Sequence, residues 1–224
     1  MTATGGEGDP YFDAVRILLL LEAAARPIAD PAAEGVPAGA VAVLEGETRL
    51  QKLDFWLRYP DYLAYELLAD YETSREEFLL ELAGEILDSE EPELRSIPML
   101  RYKFGAFEPL DMPLSILVAE GLVARDPLIG GRRIRRNNYF LTGLGRKVAR
   151  SVVADFPELS WYGERMKIVV ALADATGLTG TALRKRQYLV GDYADTGLNE
   201  EIGSIAAKAR KRLADLRAEA GVTS

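Results

Sequence analysis

A mainly α-helical protein with one winged-helix-like module containing a single β-hairpin is what this sequence predicts. Three observations lead there. Apolar residues recur at helical spacing through most of the 224 residues. Proline or an N-cap residue stands at the head of several of those runs. From residue 112 to 152 the pattern changes to helix, strand, basic glycine-bearing turn, strand, helix.

In chain order, residues 1–8 are rich in Gly and Thr and read as a flexible tail. Asp9-Pro10 is an N-cap followed by proline at the first helical position, and opens a helix to about Ala25. Its run Ile17–Leu21 is apolar nearly all round, so the helix is expected to be buried. Residues 27–46 hold Pro27, Pro31 and Pro37 and read as an irregular connection, with a short extended piece at Ala40–Leu44. A second helix from about Thr48 carries Leu50, Leu53, Trp56 and Leu57 on one face and breaks at Tyr59-Pro60. Pro60 opens a third helix with Leu63, Leu67, Leu68 and Tyr71 in its stripe. Ser74 and Glu77 have capping-box spacing for a fourth, with Phe78, Leu82 and Ile86 inward. The acidic, proline-bearing stretch 88–98 is the expected linker. It divides an acidic helical region, 9–88, from the winged-helix-like module, 99–155.

In that module Met112–Glu120 is a short helix with Leu114, Leu117 and Val118 inward, stopped by Gly121. Leu122–Arg125 and Tyr139–Leu141 are strands either side of a turn region with Gly130 and Gly131. Thr142 caps a helix bearing Leu144, Val148 and Val152. The remaining residues, 156–224, form C-terminal helices expected at Trp161–Ala175, Thr181–Tyr193 and Asn199–Ala220.

The net charge of −8 hides a division. Residues 1–100 carry 21 acidic and 7 basic side chains, residues 101–224 carry 14 and 20, and 125–150 alone holds eight cations and one acid, Asp126. Two surfaces with different partners are expected. The overall acidity disfavours a free-standing DNA binder and suits a subunit that lends one basic edge to an assembly.

Composition also narrows the chemistry. With no Cys and no His, disulfides, thiolate or imidazole metal sites and Ser-His-Asp triads are excluded. Gly143-Leu-Gly145-Arg-Lys147 resembles a phosphate loop, but Val148 stands where the dinucleotide fingerprint has its third glycine. Gly143 and Gly145 are expected to allow close packing against the hairpin. No enzyme activity, cofactor or metal is expected. Ile17–Leu21 is too short to cross a bilayer and has no basic segment before it, so a cytoplasmic protein without membrane contact is expected.

The leading candidate site is Arg132, Arg133, Arg135 and Arg136 at the hairpin tip, flanked by Asn137 and Asn138. Guanidinium groups bind phosphate bidentately and release counterions. A nucleic-acid backbone, an acidic protein surface and a merely solvated turn are the three readings. Thr181–Tyr188 (TALRKRQY) suits a recognition helix or an ordinary packed surface helix, and Lys208, Arg210, Lys211 and Arg212 make the last helix basic. Asp54, Asp61, Glu81 and Glu85 are expected on solvated helix faces. The aromatic group from Phe55 to Tyr65 belongs to the core or to a partner interface, with Trp56, Tyr59 and Tyr62 as candidate anchors.

Three stretches together resemble one family: Arg49–Pro60; Met99–Gly105 with Leu117–Arg125 and Tyr139–Gly145; and Glu164–Lys167 to Thr179–Lys185. In order and spacing they look like the middle component of bacterial ABC-three-component systems, the group that includes the accessory subunit of Lamassu-type anti-phage defence. The resemblance covers roughly 48–193 and leaves the 27–46 connection unmatched. It implies a non-catalytic adaptor that accompanies an SMC-like coiled-coil ATPase and an effector subunit, often a nuclease, in an assembly that senses DNA. The contrasting expectation is a stand-alone winged-helix transcriptional regulator.

Overall fold

The structure, a computed structural model, describes residues 9–89, 99–102, 105–107, 109–130, 133–175, 190–198 and 200–222. The expected tail, most of the 88–98 linker and all but the end of the Thr181–Tyr193 helix lie outside these residues.

Helix α1 spans Pro10–Ala24. Asp9 caps it, its Oδ1 accepting the Tyr11 N–H at 2.9 Å, and Pro10 sits where no N–H is needed. Ile17 to Leu21 are all buried. A run of that kind needs neighbours on every side, and α1 packs on three helices met below, α5, α6 and α7.

The connection after α1 is more ordered than its prolines suggest. Strand β1 (Arg26–Pro27) pairs with β2 (Ala40–Glu45), and β2 pairs in turn with a strand far along the chain. Gly46 then starts α2 (Glu47–Arg58) with φ of 90°, a conformation that favours glycine.

Helix α2 is buried from Leu50 to Arg58 on all faces, polar residues included. Tyr59 breaks it, and α3 (Pro60–Ser74) and α4 (Phe78–Asp88) follow and pack on each other. The capping box is corrected here. Ser74 is still helical, Arg75 turns the chain at φ 60°, and the Ser74 hydroxyl accepts from Glu76 N–H rather than from Glu77. Phe78 faces outward at 56 % exposure, while Leu79, Leu80, Ala83, Ile86 and Leu87 turn inward.

A small antiparallel pair, β3 (Leu100–Tyr102) and β4 (Gly105–Phe107), precedes α5 (Asp111–Ala119). Helix α5 ends as its glycine predicts. Leu122 N–H donates to Leu117 O and Gly121 N–H to Val118 O, with Gly121 at φ 67°. Leu114 and Leu117 are buried, but Val118 lies outward.

The hairpin follows as β5 (Val123–Gly130) and β6 (Arg133–Thr142), within the span expected for the wing, but its strands extend through most of the expected turn region. The sheet order is β1-β2-β6-β5, all neighbours antiparallel. The winged-helix-like unit therefore takes α1 and β2 from the acidic region, with α2, α3 and α4 inserted before α5. One continuous core of buried residues runs from Ala14 to Leu216.

Thr142 caps α6 (Gly143–Asp155), its Oγ1 accepting the Gly145 N–H at 2.9 Å. The inward side of α6 is Gly145 and Ala149, whereas Leu144 is exposed. After a 3-10 turn come α7 (Ser160–Ala175), a short α8 (Gly191–Asp195) and α9 (Ala206–Val222). The last helix begins at Ala206 rather than Asn199. Asp61 holds the chain before it, its Oδ2 accepting Ile205 N–H at 2.6 Å and the Ser204 hydroxyl at 2.7 Å.

Candidate polyanion interface

The hairpin outgrows its sheet. Strand β2 accompanies β6 only as far as Glu45 opposite Asn138, while β5 and β6 continue from Pro127 opposite Asn137 to Gly130 opposite Arg133. Beyond Asn138 the wing is thus a two-stranded ribbon. Its root is pinned to the start of α2, where Gly46 N–H donates to Asn137 O at 2.9 Å and Asn137 Nδ2 donates to Glu47 Oε2 at 2.8 Å. Arg133, Arg135 and Arg136 lie on the return strand of this ribbon; Arg132 lies outside the described residues. The register skips one residue of β6 between Leu128 and Ile129, so Arg135 has no opposite number on β5. Such bulges increase the local twist of a ribbon.

The helix just before a wing is the usual place for base readout. Here that helix, α5, turns Asp111, Met112, Ser115 and Val118 to solvent and bears no cation. Asp111 instead draws in the one arginine at the wing root, Arg125, at 3.4 Å. From Asp111 to Arg150 the cations past Arg125 fall on the hairpin and on α6, and α5 has none.

The aromatic anchors are corrected by the structure. Trp56 is fully buried, and Tyr62 and Tyr59 are 2 % and 8 % exposed. Tyr59 and Tyr62 form a ring cluster with Phe55 and Tyr193, Phe55 stacking on Tyr59 at 4.6 Å. Tyr59 Oη accepts the buried Met99 N–H at 2.6 Å. Helical spacing put these rings on α2 and α3, but α2 is enclosed and leaves no face for a partner.

Burial raises the pKa of Tyr59, Tyr139 and Tyr162 above the usual phenol value. The folded state keeps these protons after the unfolded chain has lost them, so their contribution is complete below about pH 10 and is lost as pH rises further. Stability should fall above that pH by roughly 1.4 kcal/mol per pH unit for each such tyrosine. Tyrosinate absorbance and helicity measured together test this. Ionisation of all ten tyrosines with helicity intact would refute it.

The acidic candidates divide. Glu81 and Glu85 are exposed as expected, but Asp54 and Asp61 are buried. Asp61 anchors the approach to α9. Asp54 centres an ionic network that the sequence reading missed. Its Oδ1 accepts Arg16 Nε at 2.8 Å, its Oδ2 lies 3.8 Å from Arg58 Nη1, and Arg16 also contacts Asp13. Tyr162 of α7 lies by these charges, with burial the largest influence on it.

The basic stretch of α9 is largely spent on the acidic half. Arg212 pairs with Glu72 at 2.7 Å and stacks 4.2 Å over the Tyr65 ring, Arg210 contacts Asp88, and Lys211 pairs with Asp215. Thr181–Tyr188 lies outside the described residues. Gly145 fulfils its packing role, since a Cβ there would stand 2.1 Å from Leu122 O.

Among the described residues no group of three or more His, Cys, Asp or Glu side chains is arranged to hold a metal ion. No described helix is long and apolar enough to cross a membrane. Comparison with protein families, curated proteins and solved structures finds no match for this chain.

Proposed function

We propose that this chain is a non-catalytic adaptor subunit that engages a polyanion, in first place the DNA backbone, through its arginine ribbon. In the fullest form of this reading it works in the cytoplasm beside an SMC-like ATPase and an effector subunit in anti-phage defence, as the family resemblance implies. One observation carries the polyanion reading: three of the four arginines sit on a ribbon that extends past its sheet, while the helix in the readout position has no cation. Phosphate contacts give affinity without sequence choice, which suits an adaptor better than an operator-binding regulator.

The test is DNA affinity across a salt series, wild type against a variant with Arg132, Arg133, Arg135 and Arg136 all replaced by Ala. Each lost phosphate contact should remove about 0.9 from the slope of log affinity against log salt, so the variant should be flatter by roughly two to four units. All sequences should weaken alike. Four like charges within five residues and no acid among them are expected to stay solvated in the free chain, and solvated charges contribute little to folding, so stability should hardly change. An unchanged slope would move the ribbon to an acidic protein surface. Tight binding to one defined sequence would restore the regulator.

A further inference from the structure

We propose that the outward side of α6 is a second phosphate-binding surface, a shallow cationic groove for the backbone of the same nucleic acid, partly occupied in the free chain by Glu22 of α1. This rests on the polyanion reading above and adds a surface outside the ribbon. Gly143, Arg146, Lys147, Arg150, Ser151 and Ala154 line a groove of about 470 Å³. Their spacing of three and four places them in one stripe along the helix. The opposite side holds Gly145 and Ala149, buried against the rest of the unit, so packing fixes the stripe outward.

The charge on this stripe is incompletely met. Glu22 accepts from Arg146 Nε at 3.1 Å and from Arg150 Nε at 2.9 Å. Each guanidinium uses only that nitrogen; among the described residues the Nη atoms of both, and Lys147 Nζ, have no protein acceptor. Two guanidiniums share one carboxylate, Lys147 lines the groove beside them, and Arg150 is 70 % exposed despite its pairing. Guanidinium forks left open in this way suit phosphate oxygens.

The lining also separates nucleic acid from protein. It contains no large apolar side chain, whereas protein interfaces are built around an apolar or aromatic centre. Backbone recognition needs only cations and small donors such as the Ser151 hydroxyl. The small residues Gly143, Ser151 and Ala154 let a chain of phosphates approach the helix. The groove starts at the far end of β6 from the ribbon, about 20–30 Å along the strand from Arg136 and Arg133 by strand rise. The two surfaces therefore touch different phosphates, and their contributions to the salt slope should add.

The experiment uses the full chain and a labelled duplex of about 20 base pairs, two helical turns, titrated at several salt concentrations. The Lys147→Ala, Arg150→Ala double variant should be flatter than wild type by about one to two slope units with unchanged thermal unfolding. Glu22→Gln should bind severalfold more tightly. If the double variant matches wild type while the ribbon variant is flattened, the groove is refuted and the ribbon stands. The reverse pattern refutes the ribbon and leaves the groove. Displacement of the duplex by polyglutamate as readily as by polyphosphate would overturn the phosphate assignment, and absence of any wild-type binding at low salt would overturn both.

Discussion

Replacing Asp54 by Ala should destabilise the protein by about 3–5 kcal/mol, the usual cost of removing one partner from a buried ion pair. Asp54 is fully buried and Arg16 and Arg58 are 5 % and 7 % exposed. One carboxylate lies between two guanidiniums, at 2.8 Å and 3.8 Å, and joins α1 to α2. Without it two buried guanidiniums lose the carboxylate between them, although Arg16 still contacts Asp13, one turn away on its own helix. Urea unfolding followed by helicity measures the loss. Asp54→Asn should fall between, because an amide oxygen still accepts from Arg16 but carries no charge. Changing Arg16, Asp54 and Arg58 together to Met, Leu and Met should recover much of the stability, since apolar replacements of similar volume avoid the desolvation cost. A single Asp54→Ala variant within about 1 kcal/mol of wild type, less than the loss of one charged hydrogen bond, would show that the network does not support the fold.

The network also marks where sequence reading ends. Asp9-Pro10, Gly121 and Thr142 were legible because each acts on a backbone group a few residues away. The hairpin was legible because its two strands lie close in sequence, though most of the turn region expected between them belongs to β5 and β6. The environment of α2 was not. Leu50, Leu53, Trp56 and Leu57 define an apolar stripe, and a stripe implies an outer face where Asp54 and Arg58 would meet water. That face is closed by α1 and α7, and nothing local to α2 announces them. The same limit explains the aromatic group: its helical spacing could be read, but its exposure depended on Met99 and Tyr193, which pack in from distant segments.

Strand β2 carried only a weak signal, because its partner β6 lies at the far end of the inserted helices. Without that pairing, 9–88 and 99–155 looked like successive regions, whereas Leu44 is opposite Tyr139 in one sheet. An acidic half and a basic half suggest two surfaces, and Arg212 with Glu72 and Arg210 with Asp88 join part of one to part of the other. The ribbon segment holds no acid between Arg132 and Arg136, and on the outer side of α6 Arg146 and Arg150 share one glutamate, Glu22.

Gly145→Ala should be nearly as damaging as the loss of Asp54, at about 3 kcal/mol or more, although it adds a single methyl group. The space for that methyl is taken by backbone: Leu122 O would be 2.1 Å away and Leu122 C 2.9 Å. A side chain could rotate aside, but this carbonyl cannot move without cost. It accepts Thr142 N–H at 3.1 Å and the Thr142 hydroxyl at 3.0 Å, while that same hydroxyl oxygen accepts Gly145 N–H. Displacing Leu122 would therefore loosen the end of α5, the start of β5 and the cap of α6 together, each hydrogen bond worth about 0.5–1.5 kcal/mol. Gly143→Ala is the control on the same turn of helix. Its Cβ would meet only Val41 Cγ1 at 3.7 Å, an ordinary contact, and alanine favours a helix over glycine by roughly 0.5–1 kcal/mol. Thermal unfolding should separate the two variants clearly, with Gly143→Ala at or slightly above wild type. Because Leu122 leads from α5 into the wing, Gly145→Ala should also weaken the DNA binding proposed for the wing at temperatures where the variant is still folded. Equal melting of the two variants would mean that α6 does not approach the hairpin as closely as described, and that the base of the wing is free to shift.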